Sequence, residues 1–271
     1  MISKLKRFIK LNLAAPIWNA KGEFTYAEQP VFFPKDSAIF RRTMDDGIFE
    51  YESFRTMQAF IKPNTEVFDI GANIGIMLIP TLKQHPDITL VAVEASPNNL
   101  PYLKKTHQNS PHKHRWTVID KAVFDHVGKI QFQMADQKNG AYDCIYDNKR
   151  IDFEKSVEIE CTTIDTIWHE RNKPNVSFIK IDIEGADLIA LRHGTDCIKT
   201  CKPSILIEWN ATNIEAFNLE NRDLWNFSQS INYTIYALPN FNRVTDLKDL
   251  NILNTLTENF LLVSNELPEN I

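Results

Sequence analysis

The chain has 271 residues, 43% of them hydrophobic and 24% charged, an ordinary globular composition with enough length to bury one large core. Its formal net charge is -5, with Lys and Arg dispersed and outnumbered by Asp and Glu, which argues against a protein that grips a nucleic-acid backbone. No apolar run is long enough for a membrane span. The four cysteines, Cys144, Cys161, Cys197 and Cys201, form no Cys-x-x-Cys pair, so they read as the reduced thiols of a cytoplasmic protein.

In residues 1–18, Lys4, Lys6, Arg7 and Lys10 alternate with Leu5, Phe8, Ile9, Leu11 and Leu13. Lys10 and Asn12 interrupt the apolar run that a secretory signal needs. The spacing suits a short amphipathic helix, either on a membrane surface or docked on the protein's own body. Residues 1–60 are expected to form an N-terminal extension to a main domain at 61–271. Their aromatic density, with Phe24, Phe33, Phe40, Phe49 and Phe54 among others, suits a lid, a substrate contact or a homodimer contact.

Beyond residue 60, short apolar runs alternate with helical patterns, as a parallel sheet requires. Strands are predicted near Val67 to Ile70, Leu90 to Val93, Thr117 to Ile119, Phe178 to Ile181, Ile205 to Glu208, Thr234 to Leu238 and Phe260 to Val263. Helices are predicted over Ile74 to Gln84, Pro97 to Asn109 with Ser96 as N-cap, Ala186 to Gly194, and Ile214 to Ser230. Residues 129–160 carry two runs of strand periodicity that pair as an antiparallel addition, and the loop between them, Ala135 to Lys155, is expected to border a ligand crevice.

The chemistry gathers where strands end. Val67-Phe68-Asp69-Ile70-Gly71-Ala72-Asn73-Ile74-Gly75 is a buried strand opening into a glycine-rich turn, and nineteen residues after Gly75 a second strand ends on Glu94. Such a turn lets backbone N–H groups face a ligand, and an acid at the second strand tip accepts bonds from ribose hydroxyls. A dinucleotide fingerprint needs glycine where this chain has Asn73 and Ile76, which disfavours NAD and a nucleotide-dependent oxidoreductase. An acid two residues before Gly-x-x-x-Gly resembles motif I of S-adenosylmethionine-dependent methyltransferases. In that reading Asp69 faces an ammonium group, Glu94 the ribose and Asp120, after the third strand, an adenine amino group. The expected cofactor contacts are Asp69, Gly71, Asn73, Gly75, Glu94 and Asp120.

Lys180-Ile181-Asp182-Ile183-Glu184-Gly185, together with the Asp69 turn, Glu94-Ala95-Ser96-Pro97 and the upstream Thr163-Ile164-Asp165, resembles the FkbM-type methyltransferases over roughly residues 47 to 264. The resemblance implies an α/β, Rossmann-like class I methyltransferase fold with six parallel strands and one antiparallel, helices on both faces, and O-methylation of a hydroxyl on a small metabolite, polyketide or glycan. The family often has glutamate at the position of Asp187 and proline at that of Ser96. A hydroxyl nucleophile gains from a general base. Asp182 and Glu208 are the candidate catalytic residues, with His193 behind them, and no metal is assigned. With Glu184 the same two carboxylates form an alternative, less favoured site for Mg²⁺. A methyltransferase-like binding module without catalysis is the remaining alternative.

Overall fold

The computed structural model describes residues 13–266. Its strands are β1 (Glu23–Tyr26), β2 (Gln29–Phe32), β3 (Glu66–Ile70), β4 (Thr89–Glu94), β5 (Trp116–Asp120), β6 (Ala122–Val123), β7 (Gly128–Met134), β8 (Lys155–Thr162), β9 (Val176–Ile181), β10 (Ser204–Glu208), β11 (Tyr233–Ala237), β12 (Asn242–Arg243) and β13 (Asn259–Ser264). All seven strands expected from the sequence form one sheet in the order β11-β13-β10-β9-β3-β4-β5. Neighbours from β10 through β5 pair in parallel, whereas β13 runs antiparallel to both β10 and β11. An eighth strand, the two-residue β12, adds antiparallel to β11 at the edge; no apolar run announced it.

Alternation along the strands divides the core in two. Phe68, Ile70, Val91, Val93, Ile179 and Ile181 pack on one face, and Val67, Leu90, Ala92, Phe178 and Leu206 on the other, as period-2 side chains must. The second face also packs Met57, Leu78 and the aromatics of the N-terminal extension. Phe33 and Phe40 stack there at 4.1 Å, with Phe24 edge-on to both at 5.6 and 5.3 Å. Residues 1–12, which carry most of the amphipathic pattern, lie outside the described residues.

Three helix expectations need correction. The helix after the glycine turn starts at Leu78 rather than Ile74, because Gly71, Asn73 and Gly75 all have positive φ and a right-handed helix cannot pass through them. The next helix spans Leu100–Asn109, preceded by a turn in which Ser96 Oγ still accepts the Asn98 N–H at 2.9 Å. The single helix expected over Ile214 to Ser230 is two, Ala211–Glu215 and Asn221–Ser230. Asn218 turns left-handed at φ 54, and a Glu220–Asp223 capping box starts the second helix.

The antiparallel pairing expected within 129–160 is present: β7 pairs with β8, and β6 completes a separate three-stranded sheet. All four cysteines are free, and Cys197 is fully buried in the core. Among the described residues no helix is long and apolar enough to cross a membrane.

Candidate active site

Parallel strands bring their carboxyl ends to one edge, and register decides which side chains meet there. Asp69 on β3 pairs with Lys180 on β9; Glu208 on β10 pairs with Asn259 on β13. One cleft runs along this edge, lined by Asp69, Gly71, Asn73, Glu94, Asp182 and Glu208 among others. Residues 38–50 and the β7–β8 loop form its remaining walls, through Arg42, Phe49 and Glu50 and through Tyr142, Asp143 and Arg150.

The glycine turn is held by backbone contacts. Gly71 has φ +83, and a Cβ built there would lie 1.9 Å from the Asp182 carbonyl oxygen, so the β3 and β9 turns pass each other only because that position is glycine. Asp182 donates its N–H to the Ile70 carbonyl at 3.1 Å. Asn73 donates its N–H to Glu94 Oε2 at 2.7 Å, and Glu94 Oε1 accepts the Ser96 N–H at 2.8 Å and Asn99 Nδ2 at 3.5 Å. Burial pushes the Glu94 carboxyl up to about 7 despite these bonds.

Asp69 is 1% exposed, and neither of its carboxylate oxygens has a hydrogen-bond partner among the described residues. Lys180 Nζ approaches Oδ1 at 3.7 Å, an ion-pair contact beyond hydrogen-bond reach. The same Nζ donates to the Gly71 carbonyl at 3.2 Å and to Asp182 Oδ2 at 3.2 Å. Burial alone would discharge this lysine, but Asp182, Asp69 and Glu50 outweigh it and keep it protonated. A buried acceptor pair without donors is costly, and it fits a ligand that brings donors of its own. Beyond Glu94 the lining includes the apolar Ala95, Ala122, Val123, Phe132 and Ile145, flanked by Asn99, Lys121 and Asp143. In order along the cleft, the surfaces suit a cation, a diol and a flat apolar ring.

At the other end, Asp182, Glu184 and Glu208 each place one carboxylate oxygen within 4.8 Å of the others. Glu184, left-handed at φ 56, accepts Arg150 Nη1 at 2.9 Å, Asn213 Nδ2 at 3.0 Å and Asn148 Nδ2 at 3.3 Å. Burial and then the Asp182 charge push it up to about 8. Among the described residues Glu208 accepts a hydrogen bond from Asn213 Nδ2 alone, at 3.4 Å, and burial followed by the Asp182 charge raises its pKa well above the usual carboxylate range. Asp187 is fully buried and closes the turn by accepting the Ile183 and Gly185 N–H groups at 3.1 and 3.0 Å.

Three sequence-predicted residues fall outside the cleft lining. Gly75 packs inward, where an added Cβ would lie 2.7 Å from the Leu78 side chain and 3.2 Å from that of Leu103. Asp120 ends the sheet's edge strand, where Lys104 of the Leu100–Asn109 helix draws its exposed side chain into a salt bridge; Lys121, Ala122 and Val123 line the cleft instead. His193 follows the six-residue helix Asp187–Arg192 and does not line the cleft; its exposed ring bonds the Ile189 carbonyl at 3.0 Å. Sequence reasoning missed Lys180, Arg150, Asn213 and Glu50 as site residues. Only Lys180 carried a signal: it lies two residues before Asp182, on the same face of the strand.

The family model for the "Methyltransferase FkbM domain" matches residues 69–235, more than half of the chain. In fold the chain is similar to the crystal structure of methyltransferase FkbM from Methylobacillus flagellatus KT, at TM-score 0.51 and 17% identity, over 94% of this chain and 59% of that one. It is also similar to ribosomal RNA small subunit methyltransferase G of Mycoplasmopsis pulmonis, 30% identical over 69 residues, or 26% of this chain and 30% of that protein. The chain therefore spans less than two thirds of the length of either relative. The structural likeness shows the fold, that of the Rossmann-like class I methyltransferases.

Proposed function

Because this chain belongs to the FkbM methyltransferase family, we propose that it is an S-adenosylmethionine-dependent O-methyltransferase acting on a hydroxyl of a small metabolite, polyketide or glycan. The observation that carries this reading is Asp69, a buried carboxylate lining the cleft whose two oxygens have no hydrogen-bond partner among the described residues and only a long ion-pair contact to Lys180 at 3.7 Å. S-adenosylmethionine, when bound, supplies an electrophilic methyl carbon. Asp69 and the Gly71 carbonyl would hold its ammonium group, Glu94 its ribose hydroxyls, and the wall from Ala95 to Ile145 its adenine face.

The acceptor's hydroxyl loses a proton as it attacks, and Asp182 and Glu208 are the groups we assign to take it. Burial and the Asp182 charge raise the pKa of Glu208, so its carboxylate, when ionised, is a stronger base than an exposed one. Arg42, Phe49 and Glu50 form the acceptor-side wall, so we read residues 38–50 of the N-terminal extension as cover for that half of the cleft. Glu184, Glu208 and Glu258 line it as well, with Arg150 among them; we favour a small acceptor over nucleic acid because Lys and Arg are outnumbered and dispersed along the chain. The three converging carboxylates also offer hard ligands to Mg²⁺. We disfavour this, since Lys180 already pairs with Asp182 and Arg150 with Glu184. Free thiols suit the cytoplasm.

Calorimetric titration tests the cofactor assignment: S-adenosylhomocysteine should bind and NAD should not, and the reverse result sinks it. Transfer of an isotope-labelled methyl group into an extract of the source organism then identifies the acceptor, and label on nitrogen or carbon rather than oxygen would overturn the O-methyl assignment.

A further inference from the structure

The helix Ala15–Lys21 is fastened to the body by one side only. Trp18 sets its ring 6.3 Å from that of Phe24. Asn19 is locked to Asp36 twice, donating Nδ2 to Oδ1 at 2.7 Å and accepting the Asp36 N–H at 2.8 Å. On the other side Leu13, Pro16, Ile17 and Ala20 are exposed, Leu13 at 58% and Ile17 at 56%. Their spacing of three, four and seven residues gathers them into one apolar stripe. A single exposed leucine is unremarkable; an unbroken stripe opposite a satisfied face calls for a partner.

Charge says which partner. Lys4, Lys6, Arg7, Lys10 and Lys21 precede Glu23, with no Asp or Glu before it, in a chain whose net charge is -5. An exposed apolar stripe within a cation-rich, acid-free stretch of sequence complements a surface that is anionic outside and apolar beneath, which describes a bilayer interface. We propose that the Leu13, Pro16, Ile17 and Ala20 stripe docks the protein on an anionic lipid surface, entering the headgroup boundary, with the acid-free, cation-rich sequence around it supplying electrostatic attraction to the lipid. The inference is independent of methyl transfer. It has a consequence for the cleft, because Asp36, clamped by Asn19, lies two residues before Ala38 in the cleft wall.

Co-sedimentation of the full chain with phosphatidylcholine vesicles, with and without phosphatidylglycerol, tests this. Binding is expected only with the anionic lipid, weakening as salt rises, and at least about tenfold lower in the Leu13→Glu/Ile17→Glu double variant. An unchanged melting temperature would show that the double variant folds. Should it fall, the Lys4→Gln/Lys6→Gln/Arg7→Gln/Lys10→Gln variant gives the same reading from charge alone. Absence of vesicle binding overturns the proposal, and so does binding that these variants leave undiminished. A concentration-dependent dimer lost in the double variant, without lipid binding, would overturn it in favour of a second copy of the chain.

Discussion

Asn73 donates its backbone N–H to Glu94 Oε2 at 2.7 Å, so the carboxylate assigned to the ribose also ties the glycine turn to the end of β4. Glu94→Ala removes both functions, leaving the Asn73 and Ser96 N–H groups without their acceptor. It should weaken S-adenosylhomocysteine binding by about 2 kcal/mol or more, read by calorimetry. Glu94→Gln keeps one acceptor oxygen and should fall between the two. Unchanged affinity in the alanine variant would remove Glu94 from the ribose site.

The contact of Gly71 with the Asp182 carbonyl sets a sharper test of the turn. Alanine at 71 meets both a left-handed backbone and an oxygen 1.9 Å from its Cβ, and neither the β3 turn nor the β9 turn can yield without moving the site. Gly71→Ala should cost at least about 3 kcal/mol in urea denaturation, if the protein folds at all. Gly47 is the control: its φ is +87 with nothing within 4 Å of an added Cβ, so Gly47→Ala should cost only about 1 kcal/mol. Equal costs at the two positions would show that the close approach does not constrain the turn.

The sheet was legible because β3, β4 and β9 are apolar runs with every residue buried but Thr89, and the edge holding Asp69, Glu94, Asp182 and Glu208 then followed from topology. What joins these acids was not legible. Arg150, Asn148 and Asn213 reach Glu184 from 34, 36 and 29 residues away, through a loop and a helix that share no periodicity with β9. Asp120 misled for the opposite reason: at an edge strand, topology fixes the strand end but leaves the side chain free to pair outward with Lys104. The break between Ala211–Glu215 and Asn221–Ser230 had a local signal in Glu220 and Asp223, an acid pair at capping-box spacing, which the apolar periodicity of the segment masked.

Crowded carboxyls on one sheet edge should make stability depend on pH. Burial pushes Glu94 and Asp187 up to about 7, and burial with the Asp182 charge pushes Glu50 up to about 7 and Glu184 up to about 8. In the unfolded chain these groups titrate near 4, so between the two values the folded protein binds more protons. The stability they contribute is complete below the unfolded pKa and is lost as pH rises through about 7 to 8. The melting temperature of the ligand-free protein should therefore drop by about 5 °C or more between about pH 5.5 and 8.5, and Glu94→Gln should flatten that slope. A melting temperature that rises over the same interval would mean that these carboxyls are ionised in the fold.

The last prediction concerns the proton. Asp182 follows β9 at the cleft, with Oδ2 held by Lys180 at 3.2 Å, and Glu208 ends the adjacent β10 with, among the described residues, one long bond from Asn213. Asp182→Asn and Glu208→Gln keep shape while removing basicity, and neither residue belongs to the part of the cleft assigned to the cofactor. Each should leave S-adenosylhomocysteine affinity within a few-fold, and the variant lacking the base should lower turnover on the identified acceptor at least ~100-fold, the usual scale for losing a general base. A metal role separates cleanly from this: it predicts that EDTA abolishes turnover in the unaltered protein and that Mg²⁺ restores it. If both variants turn over normally and EDTA has no effect, neither carboxylate carries the proton, and the enzyme works by holding the attacking oxygen in line.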